Sequence, residues 1–412
     1  MDSVLLDLRS RSTADLVQAA ERFGIERPTS LSRQELVFQV LTHSLERGAM
    51  FRGEGVLETL PDGFGFLRTA AASYLPGADD IYVSPSQIRR FHLRTGDVVE
   101  GRVRSPKETE RYLALYKVER VNGIDPEVRP RPIVFEHLPA LPPDRPLHLG
   151  RGGPGGRMLD RFAPVGLGDR ALVLAPPRTG ATSLLLEVAR GMRLGQPEIV
   201  RVFLLIGARP EEVSEIREAA DSEVVATTFD EDASRHVQAA DITIERVRRL
   251  AEAGRSVVLL VDSLTSLARA SGELNGELGQ DLSPSALTRP RRLLATARRL
   301  EGAGAVTVVA AVTTHPQSRL DDALADAFRP TAGTEIVLNE GIARAGLFPS
   351  IDLLQTVTPR LGRFLDPAAA RAVASARAAL PSDPLAALET SLADLEGSGE
   401  LRGEHATGAA RG

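Results

Sequence analysis

Cysteine is absent from the 412-residue chain, which excludes disulfides and thiolate metal sites and fits a reducing cytoplasm. No apolar run approaches the roughly 20 residues that span a bilayer, so no membrane partner is expected. The N-terminus lacks a basic flank followed by an apolar core, so no export signal is expected and the cytoplasm is the expected location. Lysine is nearly missing: it occurs only as Lys107 and Lys117, and every other basic residue is arginine. An excess of positive charge is missing too. The net charge of -5 argues against wholesale non-specific nucleic-acid binding, although charge can be segregated along a chain. Between Arg89 and Arg120, nine Lys/Arg face five Asp/Glu, so any polyanion site is expected there.

What remains is the composition of an ordinary globular protein, long enough for two or three domains with their own cores. "STADLVQAAERFGI" and "SRQELVFQVLTHSLERG" place apolar residues at helical spacing behind a capping Ser, with Gly24 and Gly48 at the ends. From Gly53 to Val121 the texture changes to five short β-rich runs between Pro/Gly/Asp turns, the pattern of a small OB or cold-shock barrel. A Pro/Gly-dense stretch follows. Beyond it, strand runs such as "ALVLA", "VRVFLLIG", "SVVLLVDS" and "AVTVVAAVTT" alternate with helical stretches, the signature of a parallel sheet covered by helices. The expected organisation is a helical domain over 1–48, a barrel over 49–122, a linker over 123–155, an α/β domain over 156–380, and an Ala/Gly-rich tail over 381–412 that frays at its end.

Within the barrel, "DGFGFLR" alternates Phe64 and Phe66 around a glycine, so both rings project from one face of a strand. With Arg68 and Tyr82 nearby, this suits single-stranded nucleic acid: bases stack on rings while guanidinium groups hold phosphates. Core packing of both rings is the competing reading. In "APPRTGATS", Ala175 to Ser183, a loop sits between a strand and a helix, where phosphates are cradled by backbone N–H groups. Gly180 and Thr182 are suited to that work, but Ala181 stands where a lysine neutralises the phosphate charge. Asp262, ending "VVLLVD", is either a magnesium-side carboxylate or a helix N-cap.

These runs, with "ADDIYVSPSQIRRFHLRTGD", "SPKETERYLALYKV", "RPEEVSEI", "EVVATTFDEDASRHVQAAD" and "DSLTSLARA", resemble the bacterial transcription termination factor Rho family over roughly residues 12 to 360. The resemblance implies a ring-forming, RNA-dependent ATPase: a multidomain α/β chain with a small helical N-terminal domain, an OB/cold-shock-like β-barrel, and a RecA-type P-loop NTPase domain with a parallel sheet. It raises the nucleic-acid reading of Phe64 and Phe66 above the core reading. Arg68, Asp80, Tyr82, Glu110, Arg111 and Tyr112 stand where the family's RNA-site residues stand, and Arg319 matches a second RNA contact inside the ring. Gly166, Gly168, Arg170, Arg178, Thr179, Gly180, Ala181, Thr182, Ser183, Arg209 and Phe348 match its nucleotide site, with Phe348 stacking on adenine and Thr182 and Asp262 holding magnesium.

The motor half departs from the family pattern. The family loop reads Ala-Pro-Pro-Lys-Ala-Gly-Lys-Thr; Arg178 replaces the first lysine, as an arginine-rich composition would explain, but Ala181 replaces the second. The family run Leu-Ile-Asp-Glu-Arg-Pro supplies a general base where this chain has Ala208, in Ile206-Gly207-Ala208-Arg209-Pro210. The arginine after the family's Asp-Ser-x-Thr is Ser266 here. The arginine finger falls on Pro359, with Arg360 one place off, and the RNA-gripping loop "NGELGQDLSPSAL" lacks its Gly-Gly. Loss of a finger costs roughly 10³ to 10⁵ in rate, and loss of a positioned base about 10² to 10⁴.

The expectation is a Rho-type factor that binds single-stranded nascent RNA through its barrel and acts in transcription termination, with ATP·Mg²⁺ bound at most and hydrolysis lost or vestigial. Two alternatives stay open. One is an active RNA-dependent ATPase with relocated groups, Arg178 at the phosphates and Arg360 as finger. The other is a pseudo-ATPase that tunes an active Rho ring. The expected partners are RNA, a homohexamer or a mixed ring with an active Rho, and RNA polymerase.

Overall fold

The computed structural model describes residues 3–4, 8–9, 11–276, 284–315 and 318–397. The chain divides into two compact units, one built on residues up to Phe135 with Asp241–Arg249, the other on Glu136–Ala240 and the residues from Leu250 onward. No helix among the described residues is long and apolar enough to cross a membrane.

The first unit begins with strand β1 (Ser3–Val4) and the helices Thr13–Phe23 and Arg33–Glu46. Ser12 and Ser32 accept hydrogen bonds from the first turns, and Glu35 completes a capping box. Five strands then close a barrel: β2 (Phe51–Thr59), β3 (Gly65–Arg68), β4 (Ile81–Val83), β5 (Val98–Arg104) and β6 (Leu113–Val121). They run in the order β2-β3-β4-β6-β5, and β2 also pairs with β5. Inward residues Leu57, Leu67, Ile81, Val99 and Leu113 are fully buried and share one apolar core with Leu16 and Leu41 of the helices. β1 adds to β2 at Phe51 and Arg52.

The second unit is a sheet of eight strands. Six of them run parallel in the order β10-β9-β11-β13-β8-β14: β8 (Arg170–Ala175), β9 (Val200–Ala208), β10 (Glu223–Thr228), β11 (Val257–Asp262), β13 (Ala305–Thr313) and β14 (Thr334–Val337). Continuous burial along β8, β11 and β13 explains why they read as unbroken apolar runs. Two short strands were not expected: β7 (Ala140–Leu141) and β12 (Arg298–Leu300) pair with each other, and β12 pairs antiparallel with β13.

Two organisational expectations are corrected. The stretch expected as a linker over 123–155 supplies β7, and its Leu147 and Leu149 belong to the apolar core of the second unit. The expected tail from 381 contains a helix, Pro384–Gly397, whose Leu388 and Leu395 sit in the same core. Seven residues, two helical turns, separate these leucines, so one face of the helix is buried. Residues 398–412 lie outside the described residues, as do 277–283 of the expected RNA-gripping loop.

Candidate nucleic-acid and nucleotide sites

The barrel site grows from a tight turn. Gly63, at φ 84°, lets the chain reverse between β2 and β3. Gly65 then lies so close to β2 that a Cβ would come within 2.5 Å of the Glu58 carbonyl oxygen. The glycine between the two phenylalanines is thus needed for strand pairing, and the rings fall on the opposite face. Phe66 pairs across the strands with Tyr82, and four rings gather. Phe64 lies 5.8 Å from Phe66 and 5.6 Å from Tyr82, and Phe66 lies 4.8 Å from Tyr112, centroid to centroid. The core reading of these rings fails on alternation: Leu67, between Phe66 and Arg68, points into the barrel core, while Phe66 lies outside it and is covered by its neighbours. Tyr112 is exposed and Phe64 and Tyr82 half-buried, which leaves an open aromatic surface.

Arg68 has a different part from the expected one. Its guanidinium is buried, lies 5.0 Å from the Phe66 centroid, and pairs with Glu58 at 2.8 Å and with Asp80. Two carboxylates already hold it, so it braces the rings from behind instead of reaching out to phosphate. Burial pushes the Asp80 carboxyl up to about 6, against the pull of Arg68 and the Gly77 N–H. Glu58 went unnoticed in the sequence; its position on β2 opposite Phe66 was the available signal. Glu110 is held down to about 2 by a two-pronged bond from Arg104, 2.6 and 2.8 Å, with the Lys107 N–H adding to it. That pairing ties down the turn before β6, and Arg111 and Tyr112 next to it are both exposed. Arg111 is thereby a cation available beside the rings.

In the second unit, the phosphate loop links β8 to the helix Ala181–Gly195. Gly180 is the N-cap at φ 82°, a left-handed geometry that favours glycine. The loop is closed by the Thr179 hydroxyl, which donates to the Pro176 carbonyl at 2.7 Å, and by Ser350, which donates to the Thr179 carbonyl at 2.5 Å. Phe348 stands over the loop: a Cβ on Gly180 would come within 3.0 Å of its ring. Its face is 41% exposed, enough for a base to stack on it. Arg178 and Ser183 are exposed at the loop and Arg209 at the end of β9. Arg319, also exposed, opens the helix Arg319–Phe328.

The two readings of Asp262 separate cleanly. Ser263, not Asp262, caps the helix Leu264–Leu274, accepting from the Ser266 N–H at 3.1 Å. Asp262 instead accepts a 2.6 Å hydrogen bond from the Thr182 hydroxyl. Burial pushes its carboxyl above the usual range, the Thr182 bond opposes this, and the Glu212 charge adds to it. Paired oxygen donors at a phosphate loop suit magnesium, which takes a few protein oxygens alongside phosphates.

Three residues expected at the nucleotide lie away from the phosphate loop of the same chain. Gly166, Gly168 and Arg170 sit at the start of β8, about 17 Å of strand from the loop at 3.3 Å per residue. Arg170 donates to the carbonyls of Leu294 and Ala297 at 2.8 and 2.9 Å, and the Gly168 N–H donates to Thr307 at 2.7 Å. Within one chain they organise the far end of the sheet. The sequence placed them by motif matching, which does not see the length of the intervening strand.

Charge is missing from the catalytic end in a paired way. Ala181 opens the helix and Ala208 ends β9, both bearing only methyl groups. A Cβ on Gly207 would lie 3.9 Å from the Ser266 hydroxyl.

The comparisons with known proteins agree with this geometry. Residues 7–49 match the family described as "Rho termination factor, N-terminal domain", residues 53–127 match "Rho termination factor, RNA-binding domain", and residues 155–358 match "ATP synthase alpha/beta family, nucleotide-binding domain". The transcription termination factor Rho of Chromobacterium violaceum is 43% identical over 86% of this chain and 87% of its own length. Those of Haemophilus influenzae and Escherichia coli K12 are 43% and 42% identical, covering 86% and 84% of this chain and 87% and 85% of their own lengths. In fold, the chain is similar to an ATPase from the type III secretion system of pathogenic bacteria. That likeness has a TM-score of 0.51 and 24% identity, over 60% of this chain and 70% of the other.

Proposed function

Because the chain belongs to the transcription termination factor Rho family, we propose that it binds single-stranded nascent RNA on the rings of Phe64, Phe66, Tyr82 and Tyr112 and acts in transcription termination with its own ATP hydrolysis lost or vestigial. It works as a homohexamer or in a mixed ring with a motor-intact relative, in contact with RNA polymerase. The observation that carries the reading is the contrast between a braced aromatic platform and a phosphate loop whose helix opens on Ala181.

At the loop, Gly180 and the helix N-terminus present N–H donors and a partial positive charge to a nucleotide phosphate. Phe348 takes the base, and Thr182 and Asp262 hold magnesium. Hydrolysis needs charge where the transition state develops it and a positioned water. Neither Ala181 nor Ala208 supplies these. Residual hydrolysis is the second reading, and one observation favours it: Arg178 is exposed in the loop itself.

The test is direct binding of a pyrimidine-rich RNA beside a duplex DNA of equal length. Stacking is worth roughly 1 to 3 kcal/mol per base, so Phe64→Ala with Phe66→Ala weakens RNA binding at least tenfold, and duplex binds poorly at moderate salt. Equal affinity for both nucleic acids, or a double variant that binds as the parent does, would overturn the barrel site.

A further inference from the structure

We propose that bound RNA runs on past the four rings along the outer face of β6, where Tyr116 stacks one further base and Lys117 and Arg102 hold the neighbouring phosphates. The proposal rests on the barrel rings being the RNA site, and it adds a separate station to them.

Three observations carry the assignment. The first is a bulge that re-aims two side chains. Leu113, Leu115 and Val118 of β6 belong to the barrel core, so two residues instead of one lie between the last two inward positions. The pairing with β5 slips at this point: Val103 faces Leu115 and Arg102 faces Lys117, which leaves Tyr116 as the extra residue. Tyr116 and Lys117 are both exposed in consequence, Tyr116 to 51%. Bulges re-aim side chains and occur beside working sites. This one presents an aromatic face and a cation side by side, the pair that a single-stranded nucleic acid needs.

The second is a row of positive charge with a brace beneath it. Arg52 on β2 faces Arg102 on β5, and Arg102 faces Lys117 on β6, so cations stand opposite one another across three strands. Like charges in that arrangement are destabilising. A second slip in the pairing, between Glu100 and Gly101, frees Glu119, whose carboxylate lies 3.0 Å from Arg102 Nε and 3.1 Å from Arg52 Nε. Bonds from Arg102 to Glu119 and to the Tyr116 hydroxyl push its guanidinium further toward the charged form. The same hydroxyl bond steadies the Tyr116 ring and leaves its face open. Lys117 has no hydrogen bond or ion pair among the described residues. One carboxylate against three cations leaves the row positive, and Arg102 and Lys117 lie in the Arg89–Arg120 stretch whose excess of cations calls for a polyanion.

The third is continuity with the rings. Alternation puts Tyr112, Ala114 and Tyr116 on one face, and Ala114 pairs with Tyr82 of the ring cluster. Four residues of strand separate the two tyrosines by about 13 Å at ~3.3 Å each, and only a methyl group stands between them. Arg104, opposite Ala114, is committed to Glu110, so the next cations along this path are Arg102 and Lys117. A strand stacked at ~3.4 Å per nucleotide crosses that interval in about four steps, within the roughly 4 to 16 nucleotides that one such barrel covers.

The experiment is fluorescence anisotropy on the full chain without ATP, with pyrimidine RNAs of about 3 and about 10 nucleotides, the second inside the footprint of one barrel. Tyr116→Ala is expected to weaken the longer RNA at least roughly fivefold, the smaller end of what one stacked base is worth, and to leave the shorter RNA unchanged. The shorter RNA thereby also reports that the barrel is intact in each variant. Lys117→Ala is expected to reduce the slope of log affinity against log salt by about 0.7 for the longer RNA, the share of one phosphate on a single strand, and Lys117→Arg to restore it.

Phe64→Ala with Phe66→Ala separates this station from the rings. If that double variant loses both RNAs while Tyr116→Ala and Lys117→Ala bind the longer one as the parent does, the rings stand and the further station is overturned. Equal weakening of both lengths by Tyr116→Ala shows a structural role and overturns it too. A double variant that binds both RNAs as the parent does overturns the ring site, and the station with it.

Discussion

Around the rings of the barrel, charges meet their opposites: buried Arg68 sits between Glu58 and Asp80, and exposed Glu110 is clasped by Arg104. Around the phosphate loop the shape is equally well made, with Gly180 in the left-handed region, Thr182 on Asp262, and Phe348 overhead, yet methyl groups stand where charge would act. The difference separates two kinds of work. Stacking needs a surface held in place, and van der Waals contact supplies the affinity. Hydrolysis needs charge fixed in advance where the transition state forms, and a scaffold alone cannot provide it.

The largest expected effect sharpens the motor side of this contrast. Ala181→Lys combined with Ala208→Glu is expected to raise RNA-dependent phosphate release by at least roughly 10²-fold, the smaller end of what a positioned base contributes. If no gain appears, the defect lies at Pro359 or in ring assembly instead. Next in size is Arg68→Ala, which removes the buried guanidinium that pairs with both Glu58 and Asp80. Removing one member of a buried pair costs about 3–5 kcal/mol, read as a fall in the denaturant midpoint together with loss of RNA binding. Retained stability would show that the buried pairs do not brace the platform.

The smallest effect is a pH dependence at Asp80. Its folded value is raised from 3.8 to about 6, so the fold favours the protonated carboxyl. The resulting stability is fully present below the unfolded value and is lost as pH rises through about 6. Asp80→Asn removes this loss, so the melting temperature of the variant gains on the parent as pH rises through that window. A constant difference across the window would contradict the raised value.

Much of this was legible in the chain. Period-two alternation in "GFGF" put both rings on one face, and unbroken apolar runs marked six parallel strands. What escaped was non-local or too short for a period. Glu58 on β2 and Asp80 just before β4 reach Arg68 from other segments of the chain, so its burial has no local signature. β7 and β12, of two and three residues, are shorter than any alternation that could reveal them. The helix Pro384–Gly397 hid in an Ala-rich stretch, although Leu388 and Leu395 were correctly spaced for one buried face. Asp262 could be read as a cap or a carboxylate at the site because one residue of offset decides it, and only Ser263 taking the cap resolves it.

RNA-stimulated phosphate release from the purified full chain tests the central claim most directly, measured alongside RNA binding in the same preparation. Tight binding of single-stranded RNA with no release above background is the predicted result. Turnover at the roughly 1 to 10³ per second of ordinary enzymes in that RNA-bound preparation would contradict the account and show that charge reaches the phosphate loop from elsewhere.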